Sequence, residues 1–99
     1  MQTNFIGKKV IVRGDRSGVF FGTLAEKDGK EVVLHNCRRL WYWDGAASIS
    51  QIAVEGVTQP RNCKFTISVN EIIITDAIEI IPCTEIAIEV IEAVSVWKK

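Results

Sequence analysis

The sequence predicts an α+β domain, a strongly bent and mainly antiparallel sheet carrying two helices, in a single domain over residues 1–99. Three observations predict it. The first 43 residues hold β-branched runs separated by short glycine-bearing connections. Residues 48–56 and 84–94 place apolar side chains at helical spacing behind capping residues. Between them, 71–81 is an isoleucine-dominated run that reads as strand. The length suits one modest core, and no linker, low-complexity stretch or internal repeat divides the chain.

The elements follow in order. Lys9–Arg13 is β-branched, with Val10 and Val12 on one face, so it is a strand. Gly14–Gly18 is a loop with a glycine at each end. Val19–Glu26 is a second strand. Asp28-Gly29 is a two-residue hairpin signal of the type I′ kind, which predicts a third strand from Glu31 to about Trp43. That turn sets Lys27 opposite Lys30, Leu24 opposite Val33, Phe20 opposite Cys37 and Val19 opposite Arg38. In this register neither face of the third strand is cleanly apolar. The ribbon is therefore either curled into a barrel or bulged near Asn36 and Cys37, and a bulge would exchange the faces beyond it. The first 35 residues look like the bent sheet of a small SH3-like or Sm-like barrel, a statement about architecture only.

Ser48 and Gln51 have capping-box spacing, Ile49, Ile52 and Ala53 follow helical spacing, and Gly56 can close the helix. Gln59–Asn62 is a turn around Pro60. Cys63–Val69 alternates weakly and reads as a fourth strand. Glu71–Ile81 contains at least one well-buried strand, which Pro82 ends. Thr84 caps a helix running to Val94. Its only polar stripe is Glu85, Glu89 and Glu92, which predicts burial over most of its circumference, by the sheet and by another subunit.

Composition excludes several classes. At 47% hydrophobic and 24% charged, the chain is globular rather than disordered. No apolar run approaches the roughly 18–20 residues needed to cross a membrane. The start MQTNFIGKKV lacks the apolar core of a secretory signal, and three cysteines without close spacing favour a reducing compartment, so a cytoplasmic protein is expected. The formal net charge is zero, which disfavours broad binding to long nucleic acid, so RNA is a less favoured partner. The charge is uneven, however. Residues 1–43 hold eight Lys/Arg against four acids, and residues 44–99 hold four against eight. Either the two halves neutralise each other, or the first half builds a local anion site.

No catalytic set is apparent, so no enzymatic activity is expected. His35 is the single histidine and no nucleophile motif accompanies it. Cys37, Cys63 and Cys83 lack zinc-site spacing, so no metal is expected, and no phosphate-loop motif or other cofactor signature occurs. The chemistry-bearing segment is CRRLWYWDG. Guanidinium groups take phosphate through forked, charge-assisted hydrogen bonds. Indole faces stack on nucleobases. Arg38 and Arg39 are candidate phosphate ligands, Trp41 and Trp43 candidate stacking or pocket groups, and Arg13 and Arg16 flank a loop able to complete the site. The same residues would equally serve a core or a subunit interface.

The segments VFFGTL, EVVLHNCRRLWYWDGAASISQIAVEGV and DAIEIIPCTE resemble a family of small phage and prophage proteins known as a domain of unknown function, over about Lys9 to Trp97. The family lends no residue roles. The resemblance implies a phage-encoded protein of the host cytoplasm. By analogy with unrelated oligomeric sponges, it implies a homo-oligomer that binds a phosphate-bearing nucleotide signal of host defence, such as a cyclic nucleotide or an ADP-ribose-type molecule. The alternatives are an Sm-like RNA-binding module and a protein-interaction or virion accessory module.

Overall fold

The computed structural model describes residues 4–99. The elements are β1 (Lys9–Gly14), β2 (Val19–Asp28), β3 (Glu31–Tyr42), α1 (Ile49–Glu55), a 3₁₀ turn (Pro60–Asn62), β4 (Lys64–Phe65), β5 (Val69–Ile74), β6 (Ala77–Pro82) and α2 (Glu85–Ala93). Every strand pairing is antiparallel. The sheet order is β4-β3-β2-β1-β6, and β5 also pairs with β3. This is the expected α+β architecture of a bent sheet with two helices.

The bend lies in β3. Its first half pairs with β5, from Val32↔Ile74 to Cys37↔Val69, and its second half with β4 at Leu40↔Phe65. Between the halves the register with β2 jumps, from Thr23↔His35 to Phe21↔Arg38. Asn36 sits there at φ 52°, the one non-glycine at positive φ among the described residues. Opposite it, Gly22 leaves room that a side chain would fill. A Cβ there would lie 3.0 Å from the His35 carbonyl oxygen and 3.2 Å from Cys37 Cα. The bulge read from the sequence near Asn36 and Cys37 is therefore present.

A second register shift, at Ala25 between Leu24 and Glu26, moves the hairpin. Asp28 pairs with Glu31, so Gly29-Lys30 is the turn, not Asp28-Gly29. Only Gly29 has positive φ, which rules out type I′. The expected cross-strand partners fall with it. Lys27 faces Val32, Leu24 faces Leu34, Phe20 faces Arg39, and Phe21 faces Arg38.

Two apolar clusters hold the fold. Val10, Val12, Phe20, Leu24, Val32, Leu34, Cys37 and Ile74 fill the concave side of the sheet. Ile11, Phe21, Leu40 and Phe65 on the other side pack on Ile52 and Ala53 of α1 and Ala87 and Ile91 of α2. β1 is thus buried on both faces, as its unbroken Val10-Ile11-Val12 run requires. Among the described residues, no helix is long and apolar enough to cross a membrane.

Both helices form with their expected caps. Ser48 Oγ accepts from Gln51 N–H at 3.2 Å, while the Gln51 side chain reaches one residue further back, to Ala47 N–H. Thr84 Oγ1 accepts from Ala87 N–H at 3.1 Å and donates to the Val54 carbonyl at 2.7 Å, which fastens α2 to α1.

Two expectations need correction. The fourth strand is only Lys64–Phe65. Next to it, the Thr66 hydroxyl accepts the Arg39 N–H at 2.9 Å in place of a backbone carbonyl, and the ladder stops. The isoleucine run is two strands joined at Thr75-Asp76, and of its isoleucines only Ile74 is buried, with Ile73 60% exposed. Within one chain α2 is buried along one side, at Ala87 and Ile91, with Ile86 68% exposed, so the sheet and α1 alone do not supply cover over most of its circumference. Isoleucine content measures hydrophobicity, and hydrophobicity does not say that a covering layer exists within one chain.

Arg38 ties the layers together. It is 7% exposed, and its guanidinium donates to the carbonyls of Thr66 (3.0 Å), Phe65 (3.2 Å) and Ile91 (2.9 Å). Ile91 lies in the last turn of α2, where carbonyls lack helical partners and the helix dipole favours a cation. Replacing Arg38 removes a charged donor from all three carbonyls; those of Phe65 and Ile91 keep the Trp97 and Val94 N–H groups, and that of Thr66 loses its donor. Arg38→Ala is expected to lower unfolding free energy by about 3 kcal/mol, with Arg38→Lys intermediate. Urea denaturation with an unchanged slope would measure it.

Candidate functional site

The loop between β1 and β2 is closed by a side chain from the β5–β6 connection, which the Gly14↔Ala77 pairing sets beside it. The Asp76 carboxylate accepts the N–H of Arg16 (2.8 Å) and Ser17 (3.0 Å) and the Ser17 hydroxyl (2.6 Å). The Asp76 carbonyl accepts Asp15 N–H at 2.8 Å, and Gly14 N–H donates to the Gly18 carbonyl at 2.8 Å. The Ser17 hydroxyl, followed by the Arg16 N–H, holds the Asp76 carboxyl below the usual carboxylate range. The loop is therefore ordered by the chain's own groups.

Arg39 lies across this loop. Its Nη1 donates to the Ser17 carbonyl at 2.6 Å, and its Cζ stands 4.5 Å from the centre of the Phe20 ring. Among the described residues neither Arg39 nor Arg16 forms an ion pair with a carboxylate. Two adjoining clefts share Arg39 and Ser17. One, of about 240 Å³, is bounded by Gly18, Val19, Trp41 and Trp43. The other, of about 380 Å³, is bounded by Arg16, Phe20, Ile72 and Asp76. A guanidinium with unused N–H donors thus stands between an aromatic hollow and a second arginine.

The structure sorts the six residues singled out by sequence. Arg16, Arg39, Trp41 and Trp43 come to one pair of clefts. Arg38 does not. It faces the opposite side of β3 and is consumed by the carbonyls described above. Arg13 does not either. Its Nε pairs with Glu79 at 2.8 Å, across the β1–β6 pairing. Trp43 is half-buried against the core, while Trp41 is 63% exposed.

Other groups matter that sequence reasoning passed over. Ser17 and Asp76 build the loop. Trp97 stacks on Trp41, with ring centres 6.3 Å apart and planes 16° from parallel. Lys64 Nζ stands 5.5 Å from the Trp97 ring and 5.9 Å from the Tyr42 ring. The one local signal for Trp97 is its position before Lys98-Lys99, an aromatic beside cations like the segment at 38–43.

The thiols fit covalent chemistry poorly. Burial pushes Cys37 and Cys83 up to about 11, which leaves them protonated near neutrality. Among the described residues, no three His, Cys, Asp or Glu side chains gather as a metal site would require. What the arrangement offers is reversible binding of an anion with a flat ring attached.

The family described as a domain of unknown function (DUF6948) matches residues 7–91. This chain belongs to that family. No curated protein matches it. Among solved structures, this DUF6948 chain is similar to a heptameric archaeal Sm protein, at 17% identity and a TM-score of 0.50, over 82% of this chain and 93% of that one. The likeness establishes an Sm-like fold, and with it the barrel character read from the first strands.

Because the Asp76 carboxyl is held down in the folded state, its contribution to loop order is complete above the ordinary carboxylate value of 3.8 and is lost as pH falls through the lowered one. Amide exchange at Arg16 and Ser17, followed by NMR, is expected to accelerate selectively in that acidic window. Asp76→Asn should show the faster exchange already at neutral pH.

Proposed function

We propose that this DUF6948 protein binds, without turnover, a phosphate-bearing nucleotide-type molecule in the clefts around Arg39. The observation that carries this reading is the meeting of Arg39 with Trp41 and Trp43 on one side and Arg16 on the other, with no carboxylate among the described residues paired to either arginine. Arg39 takes a phosphate oxygen through its unused N–H groups, Trp41 offers a face for a base, and Trp43 walls the hollow. Arg16 approaches the same anion from the neighbouring cleft. At the clefts the Asp76 carboxylate and the Ser17 hydroxyl are engaged with each other and with the loop N–H groups, which supports sequestration rather than cleavage.

The resemblance to small phage and prophage proteins supports a setting in the host cytoplasm, with a defence signal such as a cyclic nucleotide or an ADP-ribose derivative as the ligand. A homo-oligomer is part of the proposal. The similar Sm protein is heptameric, and Ile73, Ile78 and Ile86 leave apolar surface on β5, β6 and α2 that one chain does not cover. That same likeness favours one alternative, an Sm-like RNA-binding or protein-interaction module with no small ligand. The alternative predicts oligonucleotide binding that weakens steeply with salt, or none.

Calorimetric titration with cyclic dinucleotides, cyclic trinucleotides and cyclic ADP-ribose isomers is expected to reveal at least one sub-micromolar ligand. Arg39→Ala should weaken it about 10- to 100-fold, the loss of a charge-assisted hydrogen bond. Silence across the panel removes the proposal. Light scattering should give a whole-number multiple of the chain mass, and Ile73→Asp should reduce it; a monomeric mass would refute the assembly.

A further inference from the structure

The surface beyond Trp41 holds a second array of rings and cations. Trp41 and Trp97 are 63% and 41% exposed, and neither belongs to the two apolar clusters. Core packing therefore does not account for their nearly parallel rings. The C-terminal segment is nonetheless fixed. Trp97 N–H donates to the Phe65 carbonyl at 2.9 Å, and Val96 bridges to Phe65. Lys64, beside Phe65 on β4, lies against both the Trp97 and Tyr42 rings and forms no ion pair among the described residues. Arg39 shares the cleft on the far side of Trp41. In spatial order the surface reads Arg39, Trp41, Trp97, Lys64, Tyr42.

We infer that the ligand is a dinucleotide in the chemical sense, two bases joined through phosphate. The first base sits in the Trp41–Trp43 hollow beside Arg39, and the second on the Trp97–Lys64 platform. This rests on the nucleotide-binding reading and adds a second subsite to it. Rings flanked by cations suit a phosphate-linked pair of bases, since each base presents a flat face and each linkage a negative charge. A peptide would not need unpaired cations at both ends of an indole pair. Two sources share this chemistry, a cyclic dinucleotide and a step of single-stranded nucleic acid.

The test compares affinities on the intact chain. The probes are the four 5′-mononucleotides, the homodinucleotides in linear and cyclic 3′,5′-linked forms, and homopolymer octaribonucleotides. The matching dinucleotide is expected to bind at least about five-fold more tightly than its mononucleotide, the lower end of one stacked base. Trp97→Ala should bring that ratio toward one, and Trp97→Phe should restore part of it, with circular dichroism confirming the fold. Preference for the cyclic form assigns the signalling source, and preference for the octamer the nucleic-acid source. A mononucleotide bound as tightly as any dinucleotide would overturn the second subsite and leave the Arg39 site standing. Failure of every probe would overturn the second subsite, and the Arg39 site would then stand or fall on the cyclic trinucleotides and cyclic ADP-ribose isomers of the panel above. A Trp97→Ala protein with altered oligomer mass and an unchanged ratio would make the rings a subunit contact and defeat the inference.

Discussion

The fold turns on a buried positive charge. A guanidinium in an apolar interior is costly unless its donors are met, and Arg38 is met by carbonyls alone, from Phe65, Thr66 and the last turn of α2. Burial pulls its pKa below the usual arginine range, and the Glu92 charge opposes that pull. The arrangement reinforces the β3–β4 pairing and the core cluster beneath it, joining the middle of β3, the end of the short β4 and the helix that covers the sheet. It also decides the site. Side chains alternate along a strand, so anchoring Arg38 inward turns Arg39 outward. A slip of one residue would bring Arg39 to the carbonyls and leave Ser17, Trp41 and Trp43 without their cation.

The uneven charge of the two halves resolves in the same way. Lys9 meets Glu92 at 2.5 Å, Arg13 meets Glu79 at 2.8 Å, and His35 meets Glu71 at 3.0 Å. Each joins a basic group of the first half to an acid of the second. These pairs are exposed and contribute little stability each, and the one to Glu79 holds Arg13 away from the two clefts. Arg16 and Arg39 remain at the clefts, and Lys64 at the tryptophan pair. The ion pairs fit the first sequence reading of the charge asymmetry, mutual neutralisation, while the second, a local anion site, rests with the proposal for Arg16 and Arg39. Lys9 and Arg13, two of the eight Lys/Arg of the first half, are paired with acids of the second, and Arg16 and Arg39 are among those left at the surface.

What could be read from the sequence was local. The Ser48 and Thr84 caps, the β1 alternation and the Pro82 strand end each depend on a few neighbouring residues, and each is present. The bulge at Asn36 was legible because no register without it gave β3 an apolar face. The shift at Ala25 was not, since a strong Asp-Gly turn signal competed with it and pairing across the whole ribbon decided the outcome. Arg38 and Arg39 could not be told apart for the same reason. Which arginine faces inward depends on a bulge two residues earlier and on carbonyls 27 to 53 positions away. Trp97 and Asp76 reach their partners only through the closed topology, and no local pattern announces that.

Those two long-range contacts carry the last step. Asp76 orders residues 14–18, and the Phe65 carbonyl fixes Trp97, both with groups of the chain itself. A site assembled before its ligand arrives spares the ordering cost that association otherwise carries, about 0.5–1.5 kcal/mol for each mobile side chain held. Under the proposed reading, in which a scarce small molecule is bound without turnover, such preorganisation is the main physical route to affinity. It also explains why the chain spends polar groups on a loop five residues long. Asp76 adds little to the core, but it holds the Ser17 carbonyl where Arg39 needs an acceptor, and the remaining guanidinium donors are then aimed into the clefts.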